Sequence, residues 1–107
     1  MTSQLLKGSL ELLLMAVLEQ ESRHGYAVIK ELRERSEGAF DLAEGTVYPA
    51  LYRLERQGQL ESRQVEVGGR KRRVYSLTAQ GKAALGEHAD NWRHFARGMS
   101  AVLEGAI

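Results

Sequence analysis

The sequence predicts a mainly α-helical chain carrying one small β-hairpin, ending in a long helix built to pair with a second copy. Three observations predict it. Apolar residues recur at three- and four-residue steps in three separate stretches before Gly58, the mark of amphipathic helices. The Gly68–Gly69 pair lies between two short segments rich in alternating and β-branched residues, the signal of a tight hairpin. Leu85, Ala89, Trp92, Ala96, Met99, Leu103 and Ala106 step by four and three alternately, which is a heptad seam.

The elements follow in order. Leu6, Leu10, Leu13, Leu14, Val17 and Leu18 share one helical face, and Ser22–Arg23–His24–Gly25 interrupts them. Tyr26, Ile29, Lys30 and Leu32 open a second helix that closes near Ser36–Gly38, with Phe40 and Leu42 in the next loop as plugs for the core. A third helix runs from about Glu44 to Gln57, where Gly58 is a natural stop. Its Val47, Leu51 and Leu54 point one way, while Thr46, Tyr48, Pro49, Tyr52, Arg53 and Arg56 point the other. Pro49 lacks a backbone donor and so belongs near the first turn. Segments Leu60–Val67 and Arg72–Thr78 form the hairpin, and Thr78 caps a last helix reaching about Glu104. Tyr26 and Tyr75 are expected in the core, and His24, His88 and His94 in solvent.

Composition narrows the function. The 107 residues suffice for one small domain and contain no cysteine, so no disulfide or thiolate metal site supports the fold. The apolar run Leu10–Leu18 is too short to cross a bilayer. Lys7 before it loosely imitates a signal peptide, but Glu11 within it and the acidic Glu19 and Glu21 after it argue for a cytoplasmic protein. The three histidines share no metal-ligand spacing, and no nucleophile elbow, phosphate loop or zinc-protease helix occurs. An enzyme is not expected, nor a cofactor or metal.

Charge supplies the positive indication. From Thr46 to Lys82 eight basic residues oppose three acidic ones, a local +5 in a chain of net +1, which leaves −4 for the rest. A basic middle in an otherwise acidic chain suits an anionic partner. Thr46, Tyr48, Tyr52, Arg53 and Arg56 lie on a helix that fits a major groove, directly before a hairpin tipped by Arg70, Lys71 and Arg72. Singly these cations are solvated surface; together on adjacent elements they favour double-stranded operator DNA. The alternative is a protein-interaction or RNA-binding module without operator specificity, since paired RNA is recognised by shape and backbone.

The final helix, about 40 Å long at roughly 1.5 Å per residue, cannot bury its seam on so small a domain. A homodimer follows, with Leu85, Ala89, Trp92, Ala96, Met99 and Leu103 at the interface. Trp92, the sole tryptophan, is either dimer packing or, with Phe95 and Met99, a flat wall for a small aromatic effector; the two roles can coexist.

Several runs resemble one regulator family. Leu6–Lys7–Gly8–Ser9–Leu10–Glu11–Leu12–Leu13–Leu14 and His24–Gly25–Tyr26 are similar to the opening of PadR-family regulators. Glu44–Gly45–Thr46–Val47–Tyr48–Pro49–Ala50–Leu51–Tyr52–Arg53–Leu54–Glu55 resembles the family's recognition helix. Arg72–Arg73–Val74–Tyr75–Ser76–Leu77–Thr78–Ala79–Gln80–Gly81 resembles its wing exit. The resemblance implies a winged helix-turn-helix domain over residues 1–78 and a dimerisation helix over 79–107, as in the short subfamily. It also implies a repressor relieved by small molecules, and a dimer is expected to read an inverted repeat through its two-fold symmetry. Ala43 stands where the family commonly has a serine cap.

Overall fold

The computed structural model describes residues 8–106. The order is α1 (Leu10–Val17), β1 (Arg23–His24), α2 (Gly25–Arg35), α3 (Glu44–Arg56), β2 (Leu60–Val67), β3 (Arg70–Leu77) and α4 (Ala79–Glu104). Leu6 and Lys7, expected in the first helix and its motif, lie outside the described residues. Three helices pack under a three-stranded antiparallel sheet of order β1-β3-β2, and α4 runs off the end. This is the winged-helix arrangement.

The core is built on the helical faces the spacing marked in the first and third helices, joined by Met15, Val28 and Ala50, which the spacing did not name. Leu14, Met15, Val17 and Leu18 meet Val28, Ile29 and Leu32 of α2 and Val47, Ala50, Leu51 and Leu54 of α3. Leu60, Tyr75 and Leu85 close it from the sheet and α4. Each fully buried leucine here contributes about 1.5–3 kcal/mol relative to exposure. Leu42 packs against this cluster, whereas Phe40 stays half-buried over a shallow hollow beside Leu13 and Leu32.

Three expectations are corrected. Arg23 and His24 do more than interrupt two helices: they form a short strand, Arg23 opposite Tyr75 and His24 opposite Val74. Two residues carry no periodicity, so only the sheet edge that receives them reveals the strand. Tyr26 is not in the core but 55% exposed. The buried face of α2 is Gly25, Val28, Ile29 and Leu32, and Tyr26 lies about 100° around the helix from Gly25. His24 is half-buried and caps α2, its Nδ1 accepting from the Ala27 N–H at 3.3 Å.

The junctions carry specific chemistry. Pro49 sits in the second turn of α3, later than expected, because the helix begins at Glu44 with the uncapped Ala43 before it. Gly58 ends α3 with φ +82, the Gly58 N–H bonding Glu55 O and the Gln59 N–H bonding Leu54 O, a Schellman motif. Gly68 and Gly69 have φ +56 and +78, as a type I′ hairpin turn requires. β3 begins at Arg70, so Arg70 and Lys71 belong to the strand and not to the turn. Thr78 joins α3 to α4: its hydroxyl donates to Gly58 O at 2.6 Å and accepts from the Gly81 N–H at 3.0 Å.

Only Gly81 and Leu85 of α4 are buried. Beyond them the helix gives the molecule its 57 Å long axis, against 28 and 21 Å across. Among the described residues no helix is long and apolar enough to cross a membrane.

Candidate nucleic-acid interface

The exposed side of α3 is ordered by the 100° step of the helix. Val47, Ala50, Leu51 and Leu54 fix the buried side, so Tyr52 and Arg56 lie at the centre of the outer side. The Arg56 guanidinium stands 5.6 Å from the Tyr52 ring centroid, a cation–π pair that leaves both in solvent. Thr46 is exposed in the first turn. Arg53 lies on the flank facing α1, 3.6 Å from Glu11 Oε1. Both partners are substantially exposed, so this ion pair contributes little and is readily exchanged for another anion.

Tyr48 lies on the opposite flank, where α3 meets α2 and β3. Its ring rests on Gly25: a Cβ there would sit 2.4 Å from Cε1. Gly25 has an ordinary helical backbone, so it is required for space and not for conformation. Around Tyr48 opens a cleft of about 240 Å³, lined also by His24, Tyr26, Lys71, Arg72 and Arg73. Arg72 Nη1 lies 3.4 Å from His24 Nε2 and 3.5 Å from Nδ1. Burial, and then the Arg72 charge, hold the His24 imidazole below its usual pKa, so it is neutral near pH 7.

The hairpin divides its cations by face. Arg73 shares a face with the buried Tyr75 and donates to Ser62 Oγ at 3.0 Å, while Ser62 in turn donates to Glu55 of α3. This chain fastens the hairpin to α3, so Arg73 is partly structural. Burial pushes the Tyr75 hydroxyl up, and Glu55 adds to that shift. Arg72 lies on the other face with Val65 and Val74, and Arg70 extends that face towards the tip, while Lys71 alternates back to the face of Arg73; Arg70 and Lys71 are both exposed.

The structure thus brings Tyr48, Lys71 and Arg72 together, keeps Thr46, Tyr52 and Arg56 on the adjoining helix face, and holds Arg53 and Arg70 at the two margins. His24 and Tyr26 join the cleft although neither was expected there. The His24–Gly25–Tyr26 run was visible, but its role depends on the β1–β3 pairing that aligns it.

On α4, Ala89 and Ala96 are half-buried, whereas Trp92, Phe95, Met99, Val102 and Leu103 are exposed large apolar side chains. Leu85, expected at a dimer interface, is buried in the chain's own core. A hollow of about 220 Å³ lies between α1 and α4, lined by Gly8, Leu12, His88, Asn91, Trp92 and Phe95; Met99 lies beyond it. Among the described residues no group of three or more His, Asp or Glu side chains could hold a metal.

Comparison with known proteins agrees with this geometry. Residues 14–87 match the transcriptional regulator PadR-like family. A transcriptional regulator of Mycobacterium tuberculosis is 48% identical over 73 residues, covering 67% of this chain and 55% of that protein. The chain therefore spans about half the length of that relative. A PadR family transcription regulator from Clostridium difficile is 34% identical with TM-score 0.80, covering 90% of this chain and 99% of that one. A Clostridium thermocellum transcriptional regulator superposes with TM-score 0.86 at 22% identity, covering 94% and 96% of the two chains, and shows the fold alone. With its winged helix, its Tyr-Pro helix and its basic hairpin, the chain belongs to the PadR-like family of transcriptional regulators, which are DNA-binding proteins and not enzymes.

Proposed function

We propose that the chain is a cytoplasmic repressor that binds an inverted-repeat operator as a homodimer, with residues 1–78 reading DNA and residues 79–107 joining the two copies. One observation carries the reading. Tyr48 of α3 and Lys71 and Arg72 of the hairpin converge on a single cleft, so helix and wing face one side of the molecule. A helix in the major groove with Thr46, Tyr48, Tyr52, Arg53 and Arg56 then brings Arg70, Lys71 and Arg72 against the neighbouring backbone.

The exposed strip Trp92, Met99 and Leu103, flanked by Phe95, supports association, because so much apolar surface on a projecting helix is costly in water. Ala89 and Ala96 are small enough to let two such helices approach closely. The hollow beside Trp92 and Phe95 supports a flat aromatic effector, with Met99 along the seam, acting by favouring one dimer arrangement over another. Its test is the fluorescence of Trp92 followed together with operator release, with Trp92→Leu as control.

Footprinting the DNA upstream of the chain's own gene tests the main reading. A protected, two-fold symmetric site is expected. Arg72→Ala should weaken binding to every duplex and lower the salt slope by about one. No protected site, or an unchanged slope for Arg72→Ala, counts against it.

A further inference from the structure

The cleft at the foot of α2 has a chemistry that recognition by α3 and the wing does not by itself explain. With Nδ1 of His24 taken up as acceptor by the Ala27 N–H, the ring proton of the neutral imidazole resides on Nε2. Arg72 Nη1 is nearly equidistant from Nε2 and Nδ1, at 3.4 and 3.5 Å, so the guanidinium stands over the imidazole ring and both groups bring donors to the cleft. An anion beside them can accept from both. Tyr26 and Tyr48 line the same space, and the Tyr26 ring lies nearly parallel to His24, 13° between planes and 6.5 Å between centroids. The groups facing His24 are Tyr26 from α2, Tyr48 from α3, and Lys71, Arg72 and Arg73 from β3; no carboxylate lines the cleft. Arg23, the neighbour of His24, points away to Glu21 and Glu31.

We propose that this cleft is a seat for one backbone phosphate of the DNA, with His24 Nε2–H and the Tyr26 hydroxyl as donors beside Arg72 and Tyr48. The inference rests on the DNA-binding reading and adds two residues and a ligand to it. A phosphodiester fits because it offers two unesterified oxygens to donors arriving from four elements, β1, α2, α3 and β3, and the volume of about 240 Å³ admits it with its water. Because β1 pairs with β3, the seat fixes α2 and the wing to the same phosphate. It therefore sets the register of α3 in the groove without reading a base.

The experiment is duplex binding across a range of salt by the native chain and three variants, with phosphate-ethylation interference on the native complex. His24→Asn keeps a good helix cap and loses the ring donor, and Tyr26→Phe removes only an exposed hydroxyl. Each should weaken binding to specific and unrelated duplexes alike, by several-fold, with the salt slope unchanged because the lost donor is neutral. His24→Asp also keeps the cap but puts a negative charge in the seat, and should weaken binding at least tenfold. Ethylation of one phosphate per half-site should abolish binding. If the variants melt like the native chain and bind DNA with native affinity, the seat is wrong while DNA binding stands. If the native chain binds no duplex, the functional reading itself falls.

Discussion

Replacing Gly25 by alanine isolates the contact between α2 and Tyr48. The new Cβ would lie 2.4 Å from Tyr48 Cε1, 2.7 Å from Cζ and 2.9 Å from the hydroxyl, where ordinary contact begins near 3.4 Å. The ring must retreat by about 1 Å. It is the far end of a flexible side chain and 39% exposed, so it can swing outwards, and the cost falls towards the lower end of the ~1–3 kcal/mol typical of overpacking. Alanine's better helix propensity returns up to about 1 kcal/mol. Net destabilisation is then roughly 0–2 kcal/mol, a fall in Tm of up to about 10 °C for a domain of this size. Displacing the Tyr48 hydroxyl, by contrast, should remove the proposed hydrogen bond to a DNA phosphate, worth about 1.5 kcal/mol, so duplex affinity should fall about tenfold. Thermal melts and binding isotherms for Gly25→Ala, Tyr48→Ala and the double variant separate the two effects. In the Tyr48→Ala background the alanine at 25 should be neutral or stabilising. Equal costs in both backgrounds, with a coupling below about 0.3 kcal/mol, would refute the claim that Gly25 exists to admit the ring.

Gly81→Ala should behave differently, because its Cβ would sit 2.0 Å from the backbone oxygen of Gln59, which also accepts the Thr78 N–H. Neither group can swing aside, so calorimetry should show a loss of about 2 kcal/mol or more, roughly 10 °C in Tm. Met99→Glu adds a charge to the seam at a site 47% exposed in the single chain. It should leave the chain folded but give monomers by sedimentation on the order of tens of micromolar, where the native chain should be a dimer; a dimeric variant would remove Met99 from the interface. His24 gives a pH signature. Its pKa is lowered in the folded chain, so its stabilising effect is complete above the ordinary value of 6.5 and is lost as pH falls through the depressed one. Protonation also turns Nδ1 into a donor and breaks the cap on α2. Stability should thus decline on acidification below pH 6.5, and His24→Asn should flatten that limb.

Much of the fold was legible because it depends on local signals. The three- and four-residue apolar steps named the buried faces of α1 and α3, Gly68–Gly69 named the turn, Gly58 the stop of α3 and Thr78 the cap of α4. What escaped was set by partners distant in sequence. β1 is only two residues long and exists because the β3 edge receives it. Tyr26 resembles a core residue by composition, but Gly25 and Val28 take the buried face and leave it outside. Pro49 lies in the second turn and not the first, since proline position constrains a helix start only loosely once Glu44 can open it without a cap. Leu85 fits the heptad as well as Met99 does; the spacing alone does not reveal that the first turns of α4 lie against α1 and only the later ones project. At the candidate interface, residue type and adjacency pointed to Tyr48, Lys71 and Arg72, while the contribution of His24 needed the sheet register.

The most direct test of the central claim is selection from random-sequence duplex DNA by the native chain at moderate salt. The account predicts enrichment of an inverted repeat whose half-sites lie about one helical turn, or a multiple of it, apart on one face of the duplex. Enrichment of no symmetric sequence, with binding that tracks salt alone, would contradict it.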